Sequence, residues 1–169
     1  MPEPKKHAEN RGAIESVLRN IPGFHGYLEM EYRRESDELQ RQWLVDRLQR
    51  SKRGLDDYAR NLADAAAIDA LPQVERLRNR LDRLIGRIGG AMQGYSGFFD
   101  LVQVDEALLD RVYEHDVALM EHVAELADQI EATRESSEPA EKVVSPLISL
   151  LDDVEQRWDL REDILKGIE

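Results

Sequence analysis

The chain has 169 residues, of which 34% are charged and 6% aromatic, and its formal net charge is -12 at pH 7. This length suffices for one domain with its own core, and the composition favours helices over a β-sandwich. The absence of cysteine excludes disulfides and thiolate zinc sites, and the acidic balance argues against nucleic acid as a partner.

The N-terminal end is predicted to be a disordered tail over residues 1–7, followed by a single helical-bundle domain over residues 8–169. The tail has prolines and lysines but no apolar segment typical of a signal peptide, and no apolar run in the chain is long enough to span a bilayer. We therefore expect a cytoplasmic protein. A short helix from about Ala8 to Asn20 should end before a break at residues 21–27.

The first long helix carries an apolar seam in its second half. Seam residues recur in steps of three and four, which is typical of a coiled coil, and they are Leu44, Leu48, Ser51, Leu55, Tyr58, Leu62 and Ala65. A second helix repeats this spacing from Val74 to Ile88, after an interruption that contains Pro72. The two helices are predicted to form an antiparallel coiled-coil hairpin over about residues 44–88, with Leu62 near Leu77.

The first half of the same helix has a different apolar pattern. Leu28, Tyr32, Leu39 and Trp43 lie about a third of a turn away from the seam, at ~100° per residue. This offset predicts that the first half of the helix packs on other elements through these four side chains.

Two further long helices complete the prediction of an all-α helical bundle. The third should begin at Asp105, which is a good N-cap residue, and end near Arg134. It has apolar residues on two sides and should lie between neighbours. The last helix, which starts near Ser145 or one turn earlier, has a seam that is interrupted by Arg161. Because a buried arginine is costly unless it is paired, an acid from the third helix is its expected partner.

Charge is distributed unevenly along the chain. Arginines dominate residues 76–87, whereas acidic residues dominate residues 100–141, where only Arg111 and Arg134 oppose them. The favoured interpretation is that these basic and acidic helices pack side by side and partly neutralise each other. The alternative is an acidic face that binds a basic partner.

Two glycine-aromatic breaks, at residues 21–27 and 88–99, are the least polar connections. They form either tight corners anchored by buried aromatic rings or surfaces that receive a partner. The corner is the favoured interpretation. The candidate partner-binding residues are Phe24, Tyr27, Met92, Tyr95, Phe98 and Phe99. A peripheral membrane contact through residues 88–99 is a further alternative.

His115 and His122 are seven residues apart and therefore share one face of the third helix. Together with Glu125 they form a candidate site for a divalent metal. The paired Glu-x-x-His motifs of di-metal bundles are absent, and a histidine on a seam is more often a hydrogen-bonded core residue. No catalytic residues and no cofactor are therefore predicted.

Residues 21–27, residues 94–100 and the segments Val104-Asp105-Glu106 and Leu109–Glu114 resemble an uncharacterised bacterial all-helical family. That family is linked to envelope-stress gene neighbourhoods, alongside phage-shock-protein-A-like and band-7-like proteins. The resemblance covers most of residues 21–130 and supplies no catalytic residues. It implies a scaffold or adaptor rather than an enzyme.

The expected function is that of a non-enzymatic helical interaction protein. Long seams and the lack of a catalytic constellation favour a protein partner and self-association into a homo-oligomer, in a membrane-stress or membrane-scaffold system. The enzyme-class alternative is a metal-binding bundle at the two histidines. The third alternative is the peripheral membrane binder.

Overall fold

The computed structural model describes Leu18, residues 21–90, Leu101 and residues 105–166. These residues form four long helices: α1 (Met30–Asp64), α2 (Leu71–Gly89), α3 (Glu106–Glu131) and α4 (Ala140–Lys166). Short 3₁₀ turns, Ile68–Ala70 and Ala132–Glu135, precede α2 and follow α3. No strand occurs in this part of the chain, and the predicted all-α helical bundle is confirmed. The predicted tail and nearly all of the short helix before residue 21 lie outside the described residues.

The chain divides into two compact units. Unit 1 comprises Met1–Trp43, Ala91–Met120 and Arg157–Glu169, and unit 2 comprises Leu44–Gly90 and Glu121–Gln156. The boundaries fall inside α1, α3 and α4. Each unit has its own set of buried side chains.

In unit 2, α1 and α2 form the predicted antiparallel hairpin. Lys52 Nζ lies 2.5 Å from Asp82 Oδ1, and Arg78 lies 2.6 Å from Asp56 Oδ1. A step of four residues forward along α1 therefore corresponds to four residues backward along α2, which defines one antiparallel register. The seam leucines of both helices are buried.

The end of α1 is closed by a turn that normally contains glycine. Ala66 has a φ of 57°, in the left-handed region. The N–H of Ala67 donates to the carbonyl of Leu62 at 2.8 Å, and the N–H of Ala66 donates to the carbonyl of Ala63 at 3.0 Å. This is a Schellman arrangement, in which a Cβ at the left-handed residue is unfavourable.

We expect Ala66→Gly to raise the free energy of unfolding by about 0.5–1 kcal/mol, because relief of the left-handed strain exceeds the added entropy of the unfolded chain. Urea denaturation measures the change. Ala63→Gly, within α1, is the matched control and should destabilise the chain. Equal destabilisation by both substitutions would contradict the proposed strain.

The first half of α1 buries a polar face rather than the predicted apolar one. Its buried side chains are Arg33, Ser36, Asp37, Gln40 and Arg41. The predicted face was wrong: Leu28 is 59% exposed, and Tyr32, Leu39 and Trp43 are only partly buried. The physical reason is that Arg33, Asp37 and Arg41 have hydrogen-bond partners within unit 1, as described below.

Capping and packing of α3 follow the prediction. The Asp105 carboxylate accepts a hydrogen bond from the N–H of Ala107 at 2.8 Å, as an N-cap residue should. Buried residues of α3 come from both predicted apolar sides, including Val112 on one side and Tyr113 on the other.

The start of α4 lies earlier than Ser145. The helix begins at Ala140, directly after Pro139, and contains Pro146 in its second turn. The carbonyl of Pro139 accepts the N–H of Lys142 at 3.0 Å. Pro146 lacks an N–H and therefore cannot donate to the carbonyl of Lys142, but this loss does not end the helix.

Ion pairs of unit 2 neutralise charge between helices, with partners that differ from those predicted. Arg80 of α2 pairs with Asp152 and Glu155 of α4. Acids of α3 pair instead with α1, where Arg47 contacts Asp128 and lies 2.8 Å from Glu131. Two arginines of the basic helix, Arg78 and Arg80, are thus paired with acids of α1 and α4.

Candidate functional site

The most concentrated group of ionisable side chains in the described part of unit 1 is a buried ion cluster. It consists of Tyr27, Asp37, Arg41, Asp116 and Arg161, and none of these residues is more than 5% exposed. Asp37 and Arg41 are one turn apart on α1, Asp116 lies on α3, and Arg161 lies on α4. The cluster therefore joins three helices and the segment before α1.

Arg161 stands at the centre of the buried ion cluster. Its Nε donates to Asp116 Oδ1 at 2.7 Å, and a terminal nitrogen donates to Asp37 Oδ1 at 2.7 Å. Arg41 Nε donates to the other oxygen of Asp37 at 2.9 Å, and the Tyr27 hydroxyl donates to the other oxygen of Asp116 at 2.6 Å. Two arginines thus balance two carboxylates, and all four carboxylate oxygens accept hydrogen bonds.

The segment before α1 is held on the cluster by its backbone as well as by Tyr27. The N–H of Tyr27 donates to the Tyr113 hydroxyl at 2.8 Å. Arg33 donates to the carbonyls of Tyr27 and Leu101, at 2.6 and 2.5 Å. Gly26 in this segment has a φ of 88°, which glycine adopts without strain. These contacts identify the first break as a structural corner.

Electrostatics explain why the ionised arginine is tolerated in the core. Burial alone would lower the pKa of Arg161, but the facing carboxylates of Asp116 and Asp37 outweigh it and hold the pKa well above its usual value. For Tyr27, burial and then the Asp116 charge raise the pKa well above the usual value. The cluster therefore keeps Arg161 charged and Tyr27 neutral.

The raised pKa of Tyr27 predicts a loss of stability at alkaline pH. In the unfolded chain tyrosine ionises near pH 10, whereas folded Tyr27 stays protonated to higher pH. The contribution of Tyr27 to the free energy of unfolding is therefore complete below pH 10 and declines as pH rises above it. The Tyr27→Phe variant lacks the ionisable hydroxyl. We expect the variant to be less stable than the wild type at pH 8, because it loses the hydrogen bond to Asp116, and the difference to shrink above pH 10.

Urea denaturation of both proteins over this pH range measures the difference. Tyr32→Phe is a control on a less buried tyrosine, whose pKa is raised mainly by Glu31. A constant difference between wild type and Tyr27→Phe across the range would contradict the assignment.

Two uncharged neighbours of the cluster keep unpaired polar atoms. The amide of Gln40 and the indole N–H of Trp158 are buried and have no hydrogen-bond partner among the described residues. Each lies one helical turn from a cluster residue, namely Asp37 and Arg161. Since an unpaired buried polar group costs free energy, we expect this polar face to specify which helices meet more than it adds stability.

The candidate partner-binding residues of the first break are inside the fold. Phe24 is 6% exposed and Tyr27 is fully buried, and their rings meet edge to face with centroids 5.6 Å apart. Both rings are therefore packed inside the described part of the chain, and their selection as partner contacts stays a prediction. Met92, Tyr95, Phe98 and Phe99 lie outside the described residues.

The metal-site candidates have other contacts. His115 donates from Nε2 to the carbonyl of Arg157 at 2.5 Å, which uses one of its two possible ligand atoms. His122 is partly buried and Glu125 is exposed. Within residues 21–90 and 105–166, no three His, Cys, Asp or Glu side chains lie close enough to share a metal ion.

Sequence reasoning missed Asp37, Arg41 and Asp116 as cluster members, although it predicted an acidic partner for Arg161 from α3. A signal for Asp37 was present. The seam of α1 extends backward from Leu44 to Gln40, Asp37 and Arg33 in the same steps of four, three and four. A spacing pattern scored without regard to polarity would have included them.

Comparisons of the chain with protein-family models, with curated proteins and with solved structures find no match. Among the described helices, none combines the length and apolar character needed to cross a lipid bilayer.

Proposed function

We propose that this chain is a non-enzymatic, cytoplasmic helical interaction protein that acts as a scaffold or adaptor. The observation that carries the proposal is the closure of the buried ion cluster. Asp116 is fully buried and Arg161 is 3% exposed, and each charge is matched by another within the cluster. Such a group is suited to fixing which helices pack together, not to acid-base work on a substrate.

Apolar side chains on the surface of unit 2 support an interaction role. Ile68, beside the tip of the hairpin, is 64% exposed, and Val143, Ile148 and Leu150 on α4 are only partly buried. Side chains of this kind gain free energy when a partner covers them. The proposal includes both self-association and a second protein partner.

Sedimentation velocity over a wide range of protein concentrations tests the self-association. We expect species larger than the monomer, and we expect them to persist after treatment with EDTA, because their contacts are between side chains. Ile68→Ser, at the hairpin tip, shows whether that residue contributes. A monomer at every concentration would overturn self-association, and dissociation by EDTA would favour the metal-binding alternative.

A further inference from the structure

A groove runs along unit 2 between the end of α3 and the first half of α4. It has a volume of about 510 Å³, and its lining residues come from both helices. Its apolar lining includes Ala132 from the turn after α3, and Val143, Leu147 and Leu150 from α4. The groove is open to solvent, unlike an enclosed small-molecule pocket. Apolar lining residues that recur along α4 at helical spacing could be covered by apolar side chains of a partner helix.

The charges nearest the groove are one lysine in its lining and carboxylates beyond the lining. Lys142 is the only charged lining residue, and its Nζ lies 3.7 Å from Glu138. Gln129 lines the groove on α3, and exposed Glu125 stands one turn before it; on α4, exposed Asp153 follows Leu150 by three residues. Helical periodicity therefore places these two carboxylates on the same helix faces as Gln129 and Leu150, one turn beyond the lining, and Glu138 offsets the charge of Lys142.

A break in the backbone hydrogen bonding adds a further acceptor. Pro146 and Lys142 both line the groove, and Pro146 has no N–H to donate to the carbonyl of Lys142. This carbonyl oxygen retains the capacity to accept a hydrogen bond from a lysine or arginine side chain.

We infer that this groove binds a basic amphipathic helix of a partner protein, an inference that rests on the proposed interaction function. Apolar side chains of the partner cover Val143, Leu147 and Leu150, and its lysine or arginine side chains face the carboxylates beyond the lining. The α2 helix of a second copy is a poor occupant. Its outer face, from Glu75 to Arg87, is polar apart from glycine and offers no apolar row.

Fluorescence anisotropy with synthetic peptides tests the inference. The probe is a labelled amphipathic helical peptide of lysine and leucine, added to the full chain. Two further peptides serve as controls: one with glutamate in place of lysine, and one with the lysine-leucine composition in scrambled order. We expect saturable binding of the first peptide only, and weaker binding at higher salt.

Two substitutions on α4 provide a matched pair. Leu150 lines the groove, whereas Ile148 lines a separate depression that faces α2; both side chains are partly buried. We expect Leu150→Ser to weaken peptide binding by about tenfold or more, and Ile148→Ser to change it by less than about twofold. Asp153→Lys should weaken binding through charge, with little effect on folding.

Each alternative outcome overturns a defined part of the inference. Equal binding of the glutamate or scrambled peptide would overturn the basic helical partner. Equal effects of Leu150→Ser and Ile148→Ser would overturn the groove as the site. Loss of self-association by Leu150→Ser alone would identify a second copy as the occupant. Absence of peptide binding, with self-association intact, would overturn this inference and leave the proposed function standing.

Discussion

Replacement of Arg161 by methionine is expected to lower the free energy of unfolding by about 3–5 kcal/mol, because it leaves two buried carboxylates without their shared cation. Asp116 would retain the Tyr27 hydroxyl and Asp37 would retain Arg41. Methionine fills much of the same volume but cannot donate a hydrogen bond. Urea denaturation followed by circular dichroism measures the loss.

Arg60→Met supplies the matched control for this substitution. The Arg60 side chain is 71% exposed, and its contact with Asp57 is 3.5 Å long, so the same chemical change should cost only a small fraction of the Arg161 effect. Equal costs at both positions would contradict the role assigned to the buried ion cluster.

A triple variant distinguishes the loss of the Arg161 interactions from the cost of leaving buried carboxylates unpaired. If the cost of Arg161→Met arises from two unpaired carboxylates, addition of Asp37→Asn and Asp116→Asn should recover part of the stability. Further destabilisation by the added substitutions would show that Arg41 and Tyr27 already satisfy those carboxylates.

The second large effect is expected at Gly54, where α1 and α3 of unit 2 approach closely. A Cβ added at Gly54 would overlap the carbonyl oxygen of Ile130 and lie 2.9 Å from the Cα of Glu131. The hydroxyl of Thr133 also donates to the carbonyl of Gly54 at 3.2 Å. Because the obstructing atoms belong to the backbone, they cannot move aside as a flexible side chain would. Gly54→Ala should destabilise the chain by about 3 kcal/mol.

Gly86→Ala is the control for Gly54→Ala, since both glycines lie inside helices. A Cβ added at Gly86 would meet nothing within 4 Å. The substitution should therefore stabilise the chain by about 0.5–1 kcal/mol through helix propensity. By both thermal and urea denaturation, replacement of glycine by alanine should therefore lower stability at position 54 and raise it at position 86. Stabilisation by Gly54→Ala would contradict the close approach of the two helices.

The predictable part of this fold is local in sequence. Apolar spacing from Leu44 to Ile88 defined the hairpin, and the carboxylate of Asp105 defined the start of α3. In both cases the deciding residues are close together along the chain or share one helix face. Physical rules for periodicity and capping are sufficient at that range.

The buried ion cluster could be predicted only in part, because its energetics depend on long-range partners. Arg161 is a charged residue on an apolar seam, and the cost of burying an unpaired arginine predicts that it has an acidic partner. Asp37 and Gln40 continue the seam of α1, but their polarity resembles that of a solvent-facing surface. Only the contact between Asp37 and Arg161, which are 124 residues apart, reveals why Asp37 is buried.

The close approach at Gly54 left no comparable signal in the sequence. A glycine inside a helix usually lowers the stability of that helix by a small amount, and Gly86 fits this description. Gly54 differs only because the backbone of α3 lies against it. That distinction requires the packed structure, as does the groove between α3 and α4.

Native mass spectrometry of the tag-free protein tests the central claim most directly, because one spectrum reports both the number of subunits and any bound mass. We predict assemblies of two or more chains, with or without a protein partner, whose mass equals that of the polypeptides alone. A monomer that carries a metal ion or cofactor in fixed stoichiometry would contradict the proposal of a non-enzymatic interaction protein.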